Sequence, residues 1–245
     1  MNILITIDDT DNRESPGTGH LAEKLRHELE ALFGAATSRI TRHQLYVHED
    51  IPYTSHNSAM TFAAVIDEKL LDDIIRHCSA FLEKEPAAGS DPGLCVAVVD
   101  AIPDRRALID FGLDATKKVL TKREAYALAA RLGIHLSEHG GTGGGVIGAL
   151  AGTGLRLYGN NGRFKGWLPF DDMERDTTVG VLLQRPEIDA VKSLEEPQPG
   201  VNDRVMLQDK VKTVLIGGRS VLLVKIRSGA SDTWENLSKE EIRKY

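Results

Sequence analysis

The sequence predicts an α+β protein, and three observations carry that prediction. An apolar β-branched run opens the chain and ends in acidic residues; strand-like and helix-like segments then alternate as far as Leu132; and the last third is rich in short apolar runs separated by turn signals. Residues 3 to 7 (Ile-Leu-Ile-Thr-Ile) read as a buried strand that delivers the turn Asp8-Asp9-Thr10-Asp11 at its C-terminal end. A polar loop containing Pro16 and Gly17 follows, and Leu21, Leu25, Leu29 and Leu32 then recur at helical spacing through about Phe33. The opening is strand, functional loop, helix.

Ile40 to Val47 and Ala59 to Ile66 read as strands, and Asp67 to Leu82 as an amphipathic helix with Leu70, Leu71, Ile74, Ile75 and Cys78 on its inner side. A loop from Pro86 to Gly93 leads into a second buried strand, Leu94 to Val99. Pro103 to Leu108 begins a helix, and Lys122 to Leu132 forms another, rich in Ala and Leu. The glycine tract from Gly140 to Gly154 follows. Beyond it, Leu155 to Tyr158 and Phe164 to Leu168 read as short strands around the hairpin signal Gly159-Asn160-Asn161-Gly162. Apolar runs at Val179 to Leu183, Val205 to Leu207, Val211 to Ile216 and Val221 to Ile226, with Gly217-Gly218 turning between the last two, predict a small barrel or appended sheet. The division expected is a first, mixed region over 1–175 and a small β-rich region over 176–245. Leu194 to Asn202, with Pro197 and Pro199, is the linker candidate, although a proline-bearing surface loop within one domain has the same composition.

Composition limits the function classes. A chain of 245 residues, 41% hydrophobic, is long enough to bury a core. Thirty basic residues against thirty-six acidic give a net charge of -6, which argues against nucleic-acid binding driven by bulk electrostatics. Cys78 and Cys95 stand far apart in apolar surroundings, so neither a disulfide framework nor a cysteine zinc ribbon is available. No basic leader and no long uncharged apolar stretch is present; the expectation is a cytoplasmic protein with no membrane association.

Asp8, Asp9 and Asp11 are the first chemical signal. Two unit charges about 5 Å apart at an effective dielectric near 20 repel by roughly 3 kcal/mol. A divalent cation removes that cost, and Mg²⁺ prefers hard oxygen ligands. The plain alternative is a solvated turn in which the carboxylates accept backbone N–H bonds. In the same loop Gly17-Thr18-Gly19-His20 precedes the helix, so that Thr18 is a candidate cap, the N–H groups of Gly17 and Gly19 are candidates to face a phosphate, and His20 is a candidate for proton transfer.

The second signal is Gly140 to Ala151. Its glycines let backbone N–H groups approach an anion, and the small residues after them suit a tightly packed helix. It is not a Walker loop, because Val146 and Ile147 stand where Lys and Ser/Thr are required. It also matches G-x-G-x-x-G at Gly143, Gly145 and Gly148, without the long first strand of a dinucleotide-binding unit. The loop Glu49 to Ser58 offers Tyr53, His56 and Asn57 for substrate recognition, or is an ordinary surface connection. No G-x-S-x-G elbow occurs.

These motifs, in this order, resemble those of the archaeal tRNA-isoleucine 2-agmatinylcytidine synthetases (TiaS), which use ATP to attach agmatine to a cytidine. The pieces are Ile7-Asp8-Asp9-Thr10-Asp11, Ile51-Pro52-Tyr53-Thr54-Ser55-His56-Asn57, Asp91-Pro92-Gly93 and Gly143 to Ala151, and they cover roughly residues 1 to 170. The resemblance implies a catalytic core over 1–175 in which a kinase-like α/β domain is intertwined with a ferredoxin-like domain, an ATP-dependent ligase or kinase-like activity, and ATP and Mg²⁺ as cofactors. It further implies that Asp8, Asp9 and Asp11 serve metal and phosphates, that Gly143, Gly144 and Gly145 help form the pocket, and that an amine-like small molecule or tRNA is the partner. The family's Cys-Thr-Thr after the acidic turn is here Thr18-Gly19-His20, its zinc ribbon is missing, and the tail after Thr177 is short for a full set of tRNA-gripping domains. The expected activity is therefore a Mg²⁺-ATP-dependent synthetase acting on a nucleobase-like amide or a small molecule. A non-catalytic small-molecule-binding protein that keeps the core is the alternative.

Overall fold

A computed structural model describes residues 1–51, 57–171 and 175–245, with the backbone alone for 230–232. The chain divides into two compact units, Met1–Tyr158 and Gly159–Tyr245.

The first unit is built on an antiparallel sheet whose centre is β1 (Asn2–Asp8). It is flanked by β4 (Ser58–Val65) on one side and β5 (Gly93–Val98) on the other, with β3 (Thr41–Gln44) beyond β4 and β6 (His135–Glu138) beyond β5; the two-residue β2 (Ala36–Thr37) also pairs with β4. Side chains alternate across a strand. Ile3, Ile5 and Ile7 therefore face one layer, where they meet Leu21, Leu25 and Leu29 of α1 (Thr18–Phe33) and Ile74, Cys78 and Phe81 of α2 (Leu71–Lys84). Burying each of these large side chains contributes about 1.5–3 kcal/mol before entropy is counted.

The other face of β1 is small: Thr6 lies under α5 (Gly145–Tyr158), its hydroxyl 2.8 Å from that of Thr153 and 2.9 Å from that of Thr61. Glycines let the helix come this close. A Cβ at Gly152 would stand 2.8 Å from both Thr6 Cγ2 and Ala59 Cβ. The same helix crosses α3 (Arg105–Asp114) where a Cβ at Gly154 would meet the Leu108 carbonyl oxygen at 2.2 Å. The second core, Leu108, Phe111, Leu128, Ala149, Leu150 and Leu155 among others, joins α3, α4 (Lys122–Leu132) and α5. Thr121 and Glu124 form a reciprocal capping box at the start of α4, and Gly133 ends it in the left-handed conformation at φ 67°.

In the second unit the sheet runs β7 (Arg163–Phe164), β11 (Val214–Ile216), β12 (Arg219–Arg227), β13 (Ala230–Asn236), β10 (Arg204–Met206) and β8 (Asp176–Thr178), with β9 (Ala190–Ser193) parallel to β12. Val205, Leu222, Val224 and Trp234 belong to one of its apolar clusters, and Val221, Leu223, Leu237 and Ile242 of the short α7 (Lys239–Ile242) to another. Gly217 and Gly218 make the expected turn, at φ 59° and 72°.

Three expectations are corrected. Leu155 to Tyr158 is the last turn of α5, not a strand: Leu155 is fully buried in the helical core, and the chain turns only at Gly159, φ 75°. Without that arm the predicted hairpin does not form, and of the Phe164 to Leu168 run only Phe164 lies in a named strand, β7. Val179 to Leu183 holds a short helix, α6 (Val179–Leu182), because Thr178 caps it by accepting the Val181 N–H at 3.4 Å. Leu194 to Asn202 lies inside the second unit, as a surface loop and not a linker.

Candidate functional site

The C-terminal end of β1 meets the N-terminal end of β5, because the two are antiparallel and Asp8 stands opposite Gly93. Gly93 also lies against the first turn of α5, where a Cβ on it would stand 2.1 Å from the carbonyl carbon of Gly145. The acidic turn, the start of β5 and the glycine tract are thereby brought to one place. The acidic turn, Asp91 just before β5 and the glycine tract line a cleft of ≈ 880 Å³, counted with its open mouth.

Asp8 is the last residue of β1 and is 7% exposed. Asp9 adopts the left-handed backbone conformation, φ 51°, the one residue other than glycine with positive φ among those described. Such a conformation in a non-glycine residue is characteristic of functional turns. Asp11 Oδ1 accepts the Thr18 hydroxyl at 2.6 Å, Thr18 Oγ1 accepts the Thr10 N–H at 3.3 Å, and the Thr10 carbonyl accepts the Ala87 N–H at 3.0 Å. The turn is thus tied to the first residue of α1 and to the loop before β5. Thr10 Oγ1 is buried and has no hydrogen-bond partner.

Burial pushes the Asp8 carboxyl well above the usual carboxylate range, the charges of Asp9 and Asp11 push it further, and a backbone hydrogen bond from Asp9 opposes them. Asp9 is raised to about 6, first by burial and then by the charges of Asp91 and Asp11. Both shifts express the cost of crowding carboxylates away from water. A cation placed there would relieve it. Among the described residues no three His, Cys, Asp or Glu side chains form a ready-made metal cage, so the acidic turn is not a closed three-carboxylate site. Mg²⁺ requires none, since it is commonly held by one or two carboxylates, waters and substrate phosphates.

The glycine tract supplies the opposite sign. Gly140, Gly141 and Gly143 take positive φ of 151°, 54° and 74° and shape the loop that precedes α5. Asp91 fastens it: Oδ1 accepts the Thr142 N–H at 2.5 Å, the Thr142 hydroxyl donates to Oδ2, and the Asp91 carbonyl accepts the Gly145 N–H at 3.1 Å. Gly144 and Gly145 line the cleft at the N-terminus of α5, where the helix dipole favours an anion, although the Gly145 N–H itself is taken by the Asp91 carbonyl. Gly148 lies directly over Asp8, whose Oδ2 would be 1.9 Å from a Cβ there.

Of the residues singled out in the sequence, Asp8, Asp9, Asp11, Thr18, Asn57, Gly144 and Gly145 line the cleft. Asn57 donates its side-chain N–H to the Tyr46 carbonyl at 2.7 Å. Thr18 does not cap α1: it is the first helical residue, Gly17 is the N-cap, and the hydroxyl goes to Asp11 instead. Gly17 and Gly19 are not on the cleft wall, and Gly143 is packed beside Glu138 and Lys122. His20 is exposed, lies with Glu23, Lys24 and His27 in a shallow groove along α1, and does not line the cleft. Tyr53 and His56 fall outside the described residues.

Sequence reasoning missed Asp91 as a site residue, together with Thr142, Asp50 and Lys118, all of which line the cleft. Asp91 had a signal: it precedes Pro92-Gly93 at the start of a strand, and antiparallel pairing with β1 would have brought it to the acidic turn. Lys118 had none.

No family model matches the chain, and neither does any curated protein. Solved structures do. A complex of TiaS with its isoleucine tRNA and ATP aligns with a TM-score of 0.53 at 23% identity over 63% of this chain and 36% of that one. A complex of TiaS with the same tRNA, AMPCPP and agmatine aligns at 0.54 and 18% identity over 78% and 48%. Apo TiaS, an isoleucine-tRNA agmatidine synthetase, aligns at 0.54 and 17% identity over 93% of this chain and 66% of that one. The chain thus spans about a third to two thirds of the TiaS chains it matches. By structure, then, these 245 residues have a TiaS-like fold, mixed α+β with a mostly antiparallel sheet, in a chain shorter than TiaS.

Proposed function

We propose that this chain is an ATP-dependent enzyme of the ligase or phosphotransferase type, and that the cleft of the first unit is its Mg²⁺-nucleotide site. One observation carries the reading: the acidic end of β1 and the glycine-rich N-terminus of α5 converge in a single cleft, on a fold shared with TiaS, whose complexes contain ATP or AMPCPP, agmatine and an isoleucine tRNA.

The donor set fits a hard divalent cation. Asp8 and Asp9 are both held above the ordinary carboxylate range by burial and by their acidic neighbours, and the ion would be held by one or two of Asp8, Asp9 and Asp11 with waters and phosphate oxygens. When bound, Mg²⁺ supplies neutralisation of phosphate charge. The rest falls to the chain itself. The backbone N–H of Gly144 at the start of α5 orients the phosphates, with Gly143 and Gly145 shaping the loop around it; Thr18 fixes the rotamer of Asp11 through its hydroxyl; and Asp91 keeps the glycine loop at its distance from the acidic turn. Leu45, Val119, Leu120 and Ile147 give the same cleft an apolar wall suited to a flat, base-like group.

In this reading the first unit combines the kinase-like and ferredoxin-like parts, and the group activated is an amide of a nucleobase or of an amine-bearing small molecule, with Tyr53, His56 and Asn57 on the substrate side. A tRNA is the larger candidate substrate. ATP binding with and without Mg²⁺ tests the core of the proposal. Affinity is expected to require the metal and to be lost in Asp9→Ala and Asp11→Ala; unchanged affinity in both variants sinks it.

A further inference from the structure

We infer that Lys118 is the side chain that takes the negative charge of a polyphosphate bound in the cleft, an assignment that rests on the nucleotide reading above. Charge balance is the first ground. Asp8, Asp9, Asp11, Asp50 and Asp91 all line the cleft, and Lys118 is the only basic side chain among the described residues that does so. A nucleotide polyphosphate adds several more negative charges. The N-terminus of α5 contributes only about half a positive charge, and one divalent cation leaves the sum negative. The Lys118 ammonium, on its flexible stem, supplies what is missing.

Position is the second ground. Lys118 belongs to the segment after α3 that also puts Ala115, Val119 and Leu120 on the cleft, so its stem rises beside the apolar wall. Its Nζ lies 3.0 Å from Asp114 Oδ2, in an i,i+4 pair whose side chains are 58% and 49% exposed. Pairs this exposed are weak, so the ammonium leaves Asp114 at little cost when a stronger anion arrives. Lysine suits the task, being a point charge on a flexible four-carbon stem. Asp114 lies outside the cleft wall and serves as the resting partner.

The test is equilibrium binding of ATP, ADP, AMP and adenosine, with Mg²⁺, to the full chain and to Lys118→Gln, Lys118→Arg, Asp114→Asn and the Asp114→Asn/Lys118→Gln double variant. Loss of one charge-assisted contact is expected to weaken ATP and ADP roughly tenfold in Lys118→Gln, to weaken AMP less, and to leave adenosine unchanged. Lys118→Arg should stay within about threefold of the parent for ATP, since it keeps the charge. Asp114→Asn should tighten ATP, and should do so less in the Lys118→Gln background. Equal affinities of Lys118→Gln and the parent for all four compounds, or an equal loss of adenosine and ATP, overturn the role of Lys118 and leave the nucleotide site standing. A parent chain that binds none of the four overturns the nucleotide reading, and the assignment with it.

Discussion

At the scale of single residues, the acidic turn is defined by the crowding and burial of its carboxylates. Asp9 carries a pKa near 6 in the folded chain against 3.8 when unperturbed. Between those values the folded state binds more protons than the unfolded one, so stability falls as pH rises from about 4 to about 6. The loss from Asp9 is on the order of 1 kcal/mol once solvent screening of its exposed part is discounted. Thermal melts of the metal-free protein should show this decline, flattened in Asp9→Asn, and added Mg²⁺ should restore stability above pH 6 and not at pH 4. A melt that ignores both the substitution and the cation would remove the electrostatic basis of the site.

At the scale of elements, the decisive contact is between α5 and β1. Gly152→Ala forces a Cβ to within 2.8 Å of Thr6 Cγ2 and Ala59 Cβ, an overpacking of a kind that costs about 1–3 kcal/mol. Gly148→Ala is predicted to act differently, since its Cβ would stand 1.9 Å from Asp8 Oδ2 and must drive that carboxylate aside. Nucleotide binding measured beside a denaturant midpoint separates them: Gly152→Ala loses mainly stability, Gly148→Ala mainly binding. The sequence made α1 and α4 legible because the spacing of Leu21, Leu25 and Leu29, and the Ala and Leu content of Lys122 to Leu132, are local signals. It also made the helix after the glycine tract legible, but not its length, because Leu155 to Tyr158 is apolar enough for either state and the contact with α3 decides. Asp8, Asp9 and Asp11 stood out as a crowd of like charges. Asp91, signalled only by its place before Pro92-Gly93, was not joined to them because its position depends on which strands pair.

At the scale of the whole molecule, the first unit carries both large cores and every cleft residue named here. Its two cysteines are built-in reporters. Cys78 sits in the α1/α2 layer and Cys95 in the α3/α5 layer, both fully buried, and burial pushes both thiols up to about 12. A thiol that is buried and protonated does not react. Labelling with a disulfide reagent should therefore be negligible in the native chain and should rise only as the first unit opens, with one rate for both cysteines if the two layers unfold together. Fast labelling of either alone would show that the layers are separable.

The backbone contact of Gly93 with Gly145 has a mechanical consequence. β5, which pairs with the strand that ends in the acidic turn, touches α5 main chain to main chain, so the acidic turn and the glycine-rich end of α5 cannot move apart independently. The floor of the cleft is a fixed anvil. Ala115, Lys118, Val119 and Leu120 of the same cleft stand apart from that contact: they lie between α3 and α4 and belong to no strand of the sheet.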